Sequence, residues 1–324
     1  RGLGDVYKRQ LLFSNMGYVL KIFGWVLISM IVTACFGAAV LVPIFDALGT
    51  KAAVAASFDA FTAEISAFID GGVSIRAFAE GAASDLVNVF SAIAAEGGLL
   101  AALIIAAIFL YALYSFLMSC SYYPTAYSVN QLMSSNMRMG LASSMALNFK
   151  HSLRFALARI SVSVPIDVAL IVLGGLLLWG LLEGIGVFAF PIMIIIGIIV
   201  VSLRSCLFAG WLPRLLFVHD ESMYTSFGRS LRAVKLNLKG LMKAFVITFF
   251  AAYALMAGLA LPTFGLTVIV VPSLNYFLFR TIELVGYYKM NGLSFYTDAA
   301  NVVDTVEFGY RAENQLSDGD GEER

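Results

Sequence analysis

Four ionisable residues lie within long apolar stretches of the sequence: Asp167, Arg204, Arg280 and Glu283. A charge inside a bilayer is costly, so such a side chain usually faces the protein interior or a water-filled path and has a partner of opposite sign. Arg280 and Glu283 are three residues apart and share one face of a helix. We therefore predict two buried pairs, Asp167 with Arg204 and Arg280 with Glu283, which are either structural or part of a solute pathway.

A second group of charges lies along a predicted amphipathic helix at residues 220–243. Its apolar positions recur every three or four residues, and its cations share another face. A helix of this kind typically lies in a membrane interface, with its apolar side in acyl chains and its cations on anionic phospholipid headgroups. The predicted lipid-contacting residues are Arg229, Arg232, Lys235, Lys239 and Lys243.

Motifs for other chemistry are missing from the sequence. His151 and His219 lie in predicted loops without the spacing of a metal site, and no nucleotide-binding loop or nucleophile elbow occurs. The three cysteines, Cys35, Cys120 and Cys206, are widely separated within or beside apolar stretches and are interpreted as packing residues. We expect no catalytic, cofactor-binding or metal-binding residues, and no nucleic-acid partner.

The composition is that of an integral membrane protein. Of 324 residues, 60% are hydrophobic and only 13% are charged, and the mean hydropathy is +0.87. In soluble domains about a quarter of the residues are charged. The formal net charge is zero, but the charges are unevenly distributed along the chain.

The apolar pattern predicts an all-α fold, an integral membrane bundle of six transmembrane helices. Each predicted span is close to the roughly 20 residues that one crossing requires. The predicted spans are 18–42, 99–118, 162–182, 187–211, 244–261 and 266–288.

The distribution of lysine and arginine predicts the orientation. The loops 121–159 and 217–243 are rich in cations, whereas the connections 46–97, 183–186 and 262–265 together hold two. The positive-inside rule puts the basic loops and both termini in the cytoplasm. With only two histidines and no Asn-x-Ser/Thr acceptor, we predict a multi-pass protein of the bacterial inner (cell) membrane.

The acidic connection 46–97 predicts an extracytoplasmic helical hairpin. Apolar residues recur at helical spacing in two segments, and Gly71-Gly72 separates them. Packing on the bundle is the simpler interpretation, and a cap that gathers a ligand is the alternative.

The two ends of the chain differ from its middle. Residues 1–10 resemble a translated sequencing adapter and are excluded from the fold prediction. Residues 11–289 are predicted to form a single six-helix membrane domain. Residues 290–324 form an acidic tail, predicted to be cytoplasmic and to lack structure beyond residue 315.

A basic amphipathic helix followed by a tight transmembrane hairpin occurs at 220–288 and, less clearly, at 140–211, with Leu-Asn-x-Lys in both. This layout, together with the residues around Ser230 and Asn237-x-Lys239, resembles a loose group of polytopic bacterial membrane families. Among these is the membrane domain that precedes some glycerophosphodiester phosphodiesterases. The resemblance implies a membrane domain of this layout. Phosphodiesterase activity is not expected, because little sequence follows the last span.

We expect a non-enzymatic membrane protein that organises lipid or a membrane partner through its basic helices and acidic tail. The alternative is a transporter of a small solute or a lipid whose pathway uses Asp167, Arg204, Arg280 and Glu283; an intramembrane enzyme is a third interpretation. A transporter predicts a water-accessible cavity that reaches these charges, and a lipid organiser predicts a closed bundle. The sequence does not identify a protein partner.

Overall fold

The structure, a computed structural model, describes residues 16–135, 139–218, 221–260, 262–263 and 265–293. Every regular element in these ranges is a helix. In chain order the helices are α1 Met16–Gly49, α2 Ala52–Ile69, α3 Ile75–Ala95, α4 Gly97–Cys120, α5 Tyr122–Ser135, α6 Leu141–Leu147, α7 Phe149–Ile185, a 3₁₀ turn Gly186–Phe188, α8 Ala189–Ala209, α9 Trp211–Phe217, α10 Met223–Leu259 and α11 Leu266–Met290.

Six helical segments among the described residues are long and apolar enough to cross a membrane. This confirms the all-α class and the prediction of six such helices. The segments are Gly17–Gly49, Ala52–Ile69, Gly97–Ser135, Phe149–Ile185, Ala189–Phe217 and Met223–Leu259.

One of the six segments differs from the predicted spans. Five contain a predicted span in whole or large part, but Ala52–Ile69 belongs to the predicted extracytoplasmic hairpin. It qualifies because Asp59 and Glu64 are the only charges among its 18 residues. The predicted span 266–288 coincides with α11, which is not one of the six described segments. Its crossing of the membrane stays a prediction, as do the location of the hairpin and the orientation of both termini.

The chain separates into two compact units. The first unit contains Arg1–Ser29, Phe116–Ser161 and Ile198–Arg324, and the second contains Met30–Ser115 and Val162–Gly197. The predicted membrane domain 11–289 includes residues of both. Residues 1–10, His219 and the tail beyond residue 293 lie outside the described part of the chain, so the predictions made for them are not addressed.

In the second unit, α2 and α3 form the predicted pair of helices. They are joined at Gly71, whose φ of 74° is in the left-handed region that glycine adopts readily. The rings of Phe68 and Phe78 stack across the turn with centroids 4.3 Å apart. A buried cluster of Leu48, Val54, Val89 and Ile93 fixes the pair to the end of α1. The predicted break at Gly71-Gly72 is therefore confirmed.

In the first unit, α10 packs closely on the junction of α8 and α9. A Cβ atom added to Gly210 would lie 3.1 Å from Ser230 Cβ and 3.1 Å from Val234 Cγ2. The absence of a side chain at Gly210 thus allows close approach of the helices. Cys206 and Ala209 join Val234 in the core cluster that this approach creates.

The predicted basic helix and the predicted fifth span form one continuous element. Helix α10 runs for 37 residues, and Asn237, with φ −117° and ψ 17°, interrupts its helical backbone. Kinks in long helices have local causes such as this. The basic residues before the kink are therefore covalently continuous with the apolar segment after it.

Candidate functional site

The start of α10 is fixed by contacts with α9. Ser222 caps the helix, its Oγ accepting a hydrogen bond from the Thr225 amide at 3.3 Å. The Trp211 indole donates to the Met223 carbonyl at 2.9 Å. The ring of Phe227 lies against that of Trp211, with a centroid distance of 4.6 Å. These contacts set which face of α10 is turned outward.

Glu221, just before this cap, binds two arginines. Arg214 on α9 donates from Nε to Oε2 at 2.8 Å and from Nη2 to Oε1 at 2.7 Å. Arg229 on α10 donates to the same Oε1 at 2.6 Å. The hydrogen bonds from Arg214, followed by the attraction of both guanidinium groups, hold the pKa of Glu221 below its usual value despite partial burial. This pairing of Glu221 with Arg214 was not predicted from the sequence.

The five predicted lipid-contacting cations are all exposed. The opposite face of α10 is buried at Ser226, Ser230, Val234 and Leu241. Arg229 is paired with Glu221, whereas no described residue forms an ion pair with the other four. The arrangement therefore leaves a positive surface that can accept anionic groups. The four residues are Arg232, Lys235, Lys239 and Lys243.

The predicted apolar side of this helix is covered by protein. Val234 and Leu241 lie in a core cluster with Cys206 and Ala209. The expectation that these side chains lie in acyl chains is wrong, because residues of α8 and α11 cover them. Tyr224 differs: it is 59% exposed, and its hydroxyl lies 3.0 Å from Ser161 Oγ.

The predicted pair of Arg280 and Glu283 is confirmed. Arg280 Nη1 lies 2.7 Å from Glu283 Oε2, and both side chains are buried. The angles at this contact are not those of a hydrogen bond, so the attraction is mainly that of two opposite charges. Spacing along one helix was sufficient to predict this pair.

Arg159 and Arg280 share the aromatic ring of Tyr122. The guanidinium carbons lie 4.2 Å and 4.3 Å from the ring centroid. Arg159 and Arg204 each lie 5.3 Å from the Phe208 centroid. Contacts of this kind offset part of the cost of burying a cation. Arg159 was predicted to lie in a cytoplasmic loop, although the apolar residues before it could have indicated its burial.

These residues form a cluster, termed the arginine cluster: Arg159, Arg204, Arg280, Glu283 and Tyr122. Arg159, Arg280 and Glu283 are buried, and the other two are half-buried. Arg159 is within electrostatic range of the other two arginines and of Glu283. Arg159 and Arg280 both lie within electrostatic range of the single carboxylate of Glu283. An excess of positive charge beside aromatic rings can bind an anionic group such as a carboxylate or phosphate.

Asp167 is buried in the second unit, where the Tyr111 hydroxyl donates to its Oδ2. Tyr111 was not identified from the sequence. The predicted pair of Asp167 with Arg204 would join residues of the two units, and it stays a prediction.

No group of three or more His, Cys, Asp or Glu side chains within the described ranges could hold a metal ion. His151 instead lies against the ring of Tyr123, with centroids 5.8 Å apart. Cys35, Cys120 and Cys206 are not in disulfides.

Comparison with protein-family models, curated proteins and solved structures found no match for this chain. The resemblance to the membrane domain that precedes some glycerophosphodiester phosphodiesterases therefore stays a prediction. What defines this chain is the class to which its helices assign it, a multi-pass helical membrane protein. The basic face of α10 and the arginine cluster are the two charged sites that bear on its function.

Proposed function

We propose that this chain is a non-enzymatic protein of the bacterial inner membrane that binds and organises anionic phospholipids through the basic face of α10. The observation that carries the proposal is the exposure of five cations on α10 while the opposite face packs on protein. A helix held in this way presents its charges without needing to insert its apolar side into the bilayer.

The position of the cations along α10 supports binding to headgroups. The residues that follow Lys243 form the apolar part of a segment long enough to cross a membrane. Lysine and arginine are favoured at the ends of such segments, where their long side chains reach the headgroup region. The cytoplasmic leaflet is the anionic one, and in this proposal it faces the basic surface.

The expected strength can be derived from the four cations without a described partner. Each cation near an anionic surface contributes roughly 1 kcal/mol. Four together contribute about 4 kcal/mol, which corresponds to several hundredfold in affinity. Because exposed charges are screened by salt, the attraction should weaken with increasing ionic strength.

The test replaces Arg232, Lys235, Lys239 and Lys243 with Gln and measures the phospholipids that co-purify with the protein in mild detergent. We expect the anionic lipid fraction to fall strongly, while neutral lipid is retained. The matched control keeps every charge, with Arg232→Lys and Lys→Arg at the other three positions, and should retain anionic lipid. Unchanged anionic lipid in the Gln variant would refute the proposal.

The arginine cluster supports the second function, a transporter of a small anionic solute or a lipid. In this alternative, Arg159 and Arg280 bind the anionic group, with Tyr122 between them. Arg204 and Glu283 would contribute to the same pathway.

A transporter requires water to reach the cluster, and Ser121 allows this to be measured. Ser121 is buried next to Tyr122, with its Oγ 2.6 Å from the Tyr276 hydroxyl. In a background without the three native cysteines, Ser121→Cys should react with a water-soluble methanethiosulfonate reagent if the path is wet. No reaction in the folded protein, with full reaction after unfolding, would exclude the transporter and support the closed bundle of a lipid organiser.

A further inference from the structure

The second unit contains an apolar cavity of about 650 Å³ between α3 and the ends of α7 and α8. Its volume is within the range of roughly 300–1,000 Å³ that is typical of ligand pockets. The lining includes large apolar side chains from four helices. One of them, Phe90, is 60% exposed. Those that define the walls are Leu86, Phe90, Leu100, Leu178, Leu182 and Phe190.

Few polar groups line this cavity. Of the described lining residues, only Ser91 and Trp179 have side chains that carry polar atoms. The Trp179 indole donates its hydrogen to Glu183 Oε1 at 2.7 Å, so this donor is already used. A ligand would therefore be held through apolar contact, with a polar group only at the end near Glu183.

The surroundings of the cavity identify the ligand. Leu100, Leu178 and Phe190 each belong to a helical segment that is apolar and long enough to cross a membrane. These segments are candidates to cross the bilayer, and the proposal below places the cavity beside its acyl chains, which would reach it without passing through water. Water is disfavoured in it, because apolar walls offer too few hydrogen-bond partners.

We propose that this cavity binds one acyl chain of a membrane phospholipid. The chain lies along the apolar walls, and the ester and headgroup lie towards Trp179 and Glu183. Recognition is by chain shape and apolar area, so the headgroup charge is not selected. The proposal uses none of the cations of α10 and does not depend on the function proposed for them.

Two adjacent glycines on α7 provide a matched pair of variants. Gly175 lines the cavity, and a Cβ atom added there meets no atom within 4 Å. Gly174 also has open space around it but does not line the cavity. Gly175→Leu should place a side chain inside the cavity and obstruct an acyl chain, whereas Gly174→Leu adds the same side chain to the same helix outside it.

The experiment uses the full chain in detergent, with one equivalent of a phosphatidylcholine that carries a photoreactive diazirine in the middle of one acyl chain. After irradiation, mass spectrometry maps the labelled residues. We expect labelling of Leu86–Phe90 and of Leu178–Leu182 in the wild-type protein and in Gly174→Leu, reduced at least fivefold in Gly175→Leu. Equal labelling in both variants, or none at these residues in the wild type, would overturn the proposal.

Two further measurements separate this site from the basic face of α10. A phosphatidylglycerol with the same photoreactive chain should label these residues to the same extent. The variant whose four α10 cations are replaced by Gln should also be labelled as strongly as the wild type. A preference for the anionic lipid that disappears in the Gln variant would assign the labelling to the basic face and refute a separate acyl-chain site. If Gly175→Leu does not fold, Leu86→Trp obstructs the cavity from α3 and must show the same loss.

Discussion

Arg214 holds the carboxylate of Glu221 with two parallel hydrogen bonds, from Nε at 2.8 Å and from Nη2 at 2.7 Å. Both side chains are largely buried, with 8% and 10% of their surfaces exposed. Paired planar groups of this kind are geometrically specific. The contact connects α9 to the residue that precedes the cap of α10, and it helps to set the direction in which the basic face of α10 points.

Glu221→Gln should therefore destabilise the folded protein. Replacement removes the charge that both Arg214 and Arg229 bind, and hydrogen bonds to charged groups contribute about 2 kcal/mol each. We expect a lower midpoint of thermal unfolding in detergent, followed by circular dichroism. Asp59→Asn is the control, because Asp59 is exposed and surface substitutions usually change stability by less than about 0.5 kcal/mol. Equal midpoints for the two variants would contradict the prediction.

The same carboxylate predicts a dependence of stability on pH. The pKa of Glu221 is lower in the folded protein than its ordinary value of 4.5, so the unfolded chain takes up the proton first as the pH falls. The stabilisation is complete above the ordinary value and is lost as the pH falls below it towards the folded pKa. The difference in unfolding midpoint between wild type and Glu221→Gln should be constant near neutral pH and should shrink below about pH 4.5. A difference that grows on acidification would contradict this sign.

Alanine substitutions at Gly210 and Gly228 should change the stability in opposite directions, because only Gly210 is closely packed. A methyl group at Gly210 would meet Ser230 Cβ, Val234 Cγ2 and, at 3.3 Å, the backbone oxygen of Ser230. Because backbone cannot move aside as a side chain tip can, Gly210→Ala should cost about 1–3 kcal/mol. Gly228→Ala, on α10 with nothing within 4 Å, should instead stabilise by up to about 1 kcal/mol. Unfolding midpoints of both variants check the signs, and a stabilising Gly210→Ala would show that the helices can separate without cost.

What the sequence could predict is the local part of this structure. Helical periodicity and apolar length predicted the helices, and the break at Gly71-Gly72 was predicted from residue type alone. Arg280 and Glu283 could be paired because one helix turn fixes their spacing. Contacts between distant residues could not be derived in this way.

The missed contacts share one physical cause. Tyr122 and Arg159 are on different helices, and Glu221 binds Arg214 across a loop. Periodicity shows which side of a helix is apolar but not what covers it. For α10 we assigned that covering to acyl chains, whereas the structure has residues of α8 and α11 there. Gly210 permits the close approach at Ser230 and Val234.

The last prediction concerns the buried charges of the arginine cluster, where loss of the acid should cost more than loss of a base. Glu283 is within electrostatic range of both Arg280 and Arg159. Glu283→Gln leaves two buried cations without that carboxylate, whereas Arg280→Gln leaves Glu283 beside Arg159. Breaking a buried pair from one side costs about 3–5 kcal/mol, and we expect Glu283→Gln to reach this range and Arg280→Gln to fall below it.

The double variant should be more stable than Glu283→Gln alone, because it removes one of the uncompensated cations. Unfolding midpoints of the wild type and the three variants form a double-mutant cycle that measures the coupling. A larger loss for Arg280→Gln than for Glu283→Gln would show that positive charge is not in excess at this site, and it would remove the basis for anion binding there.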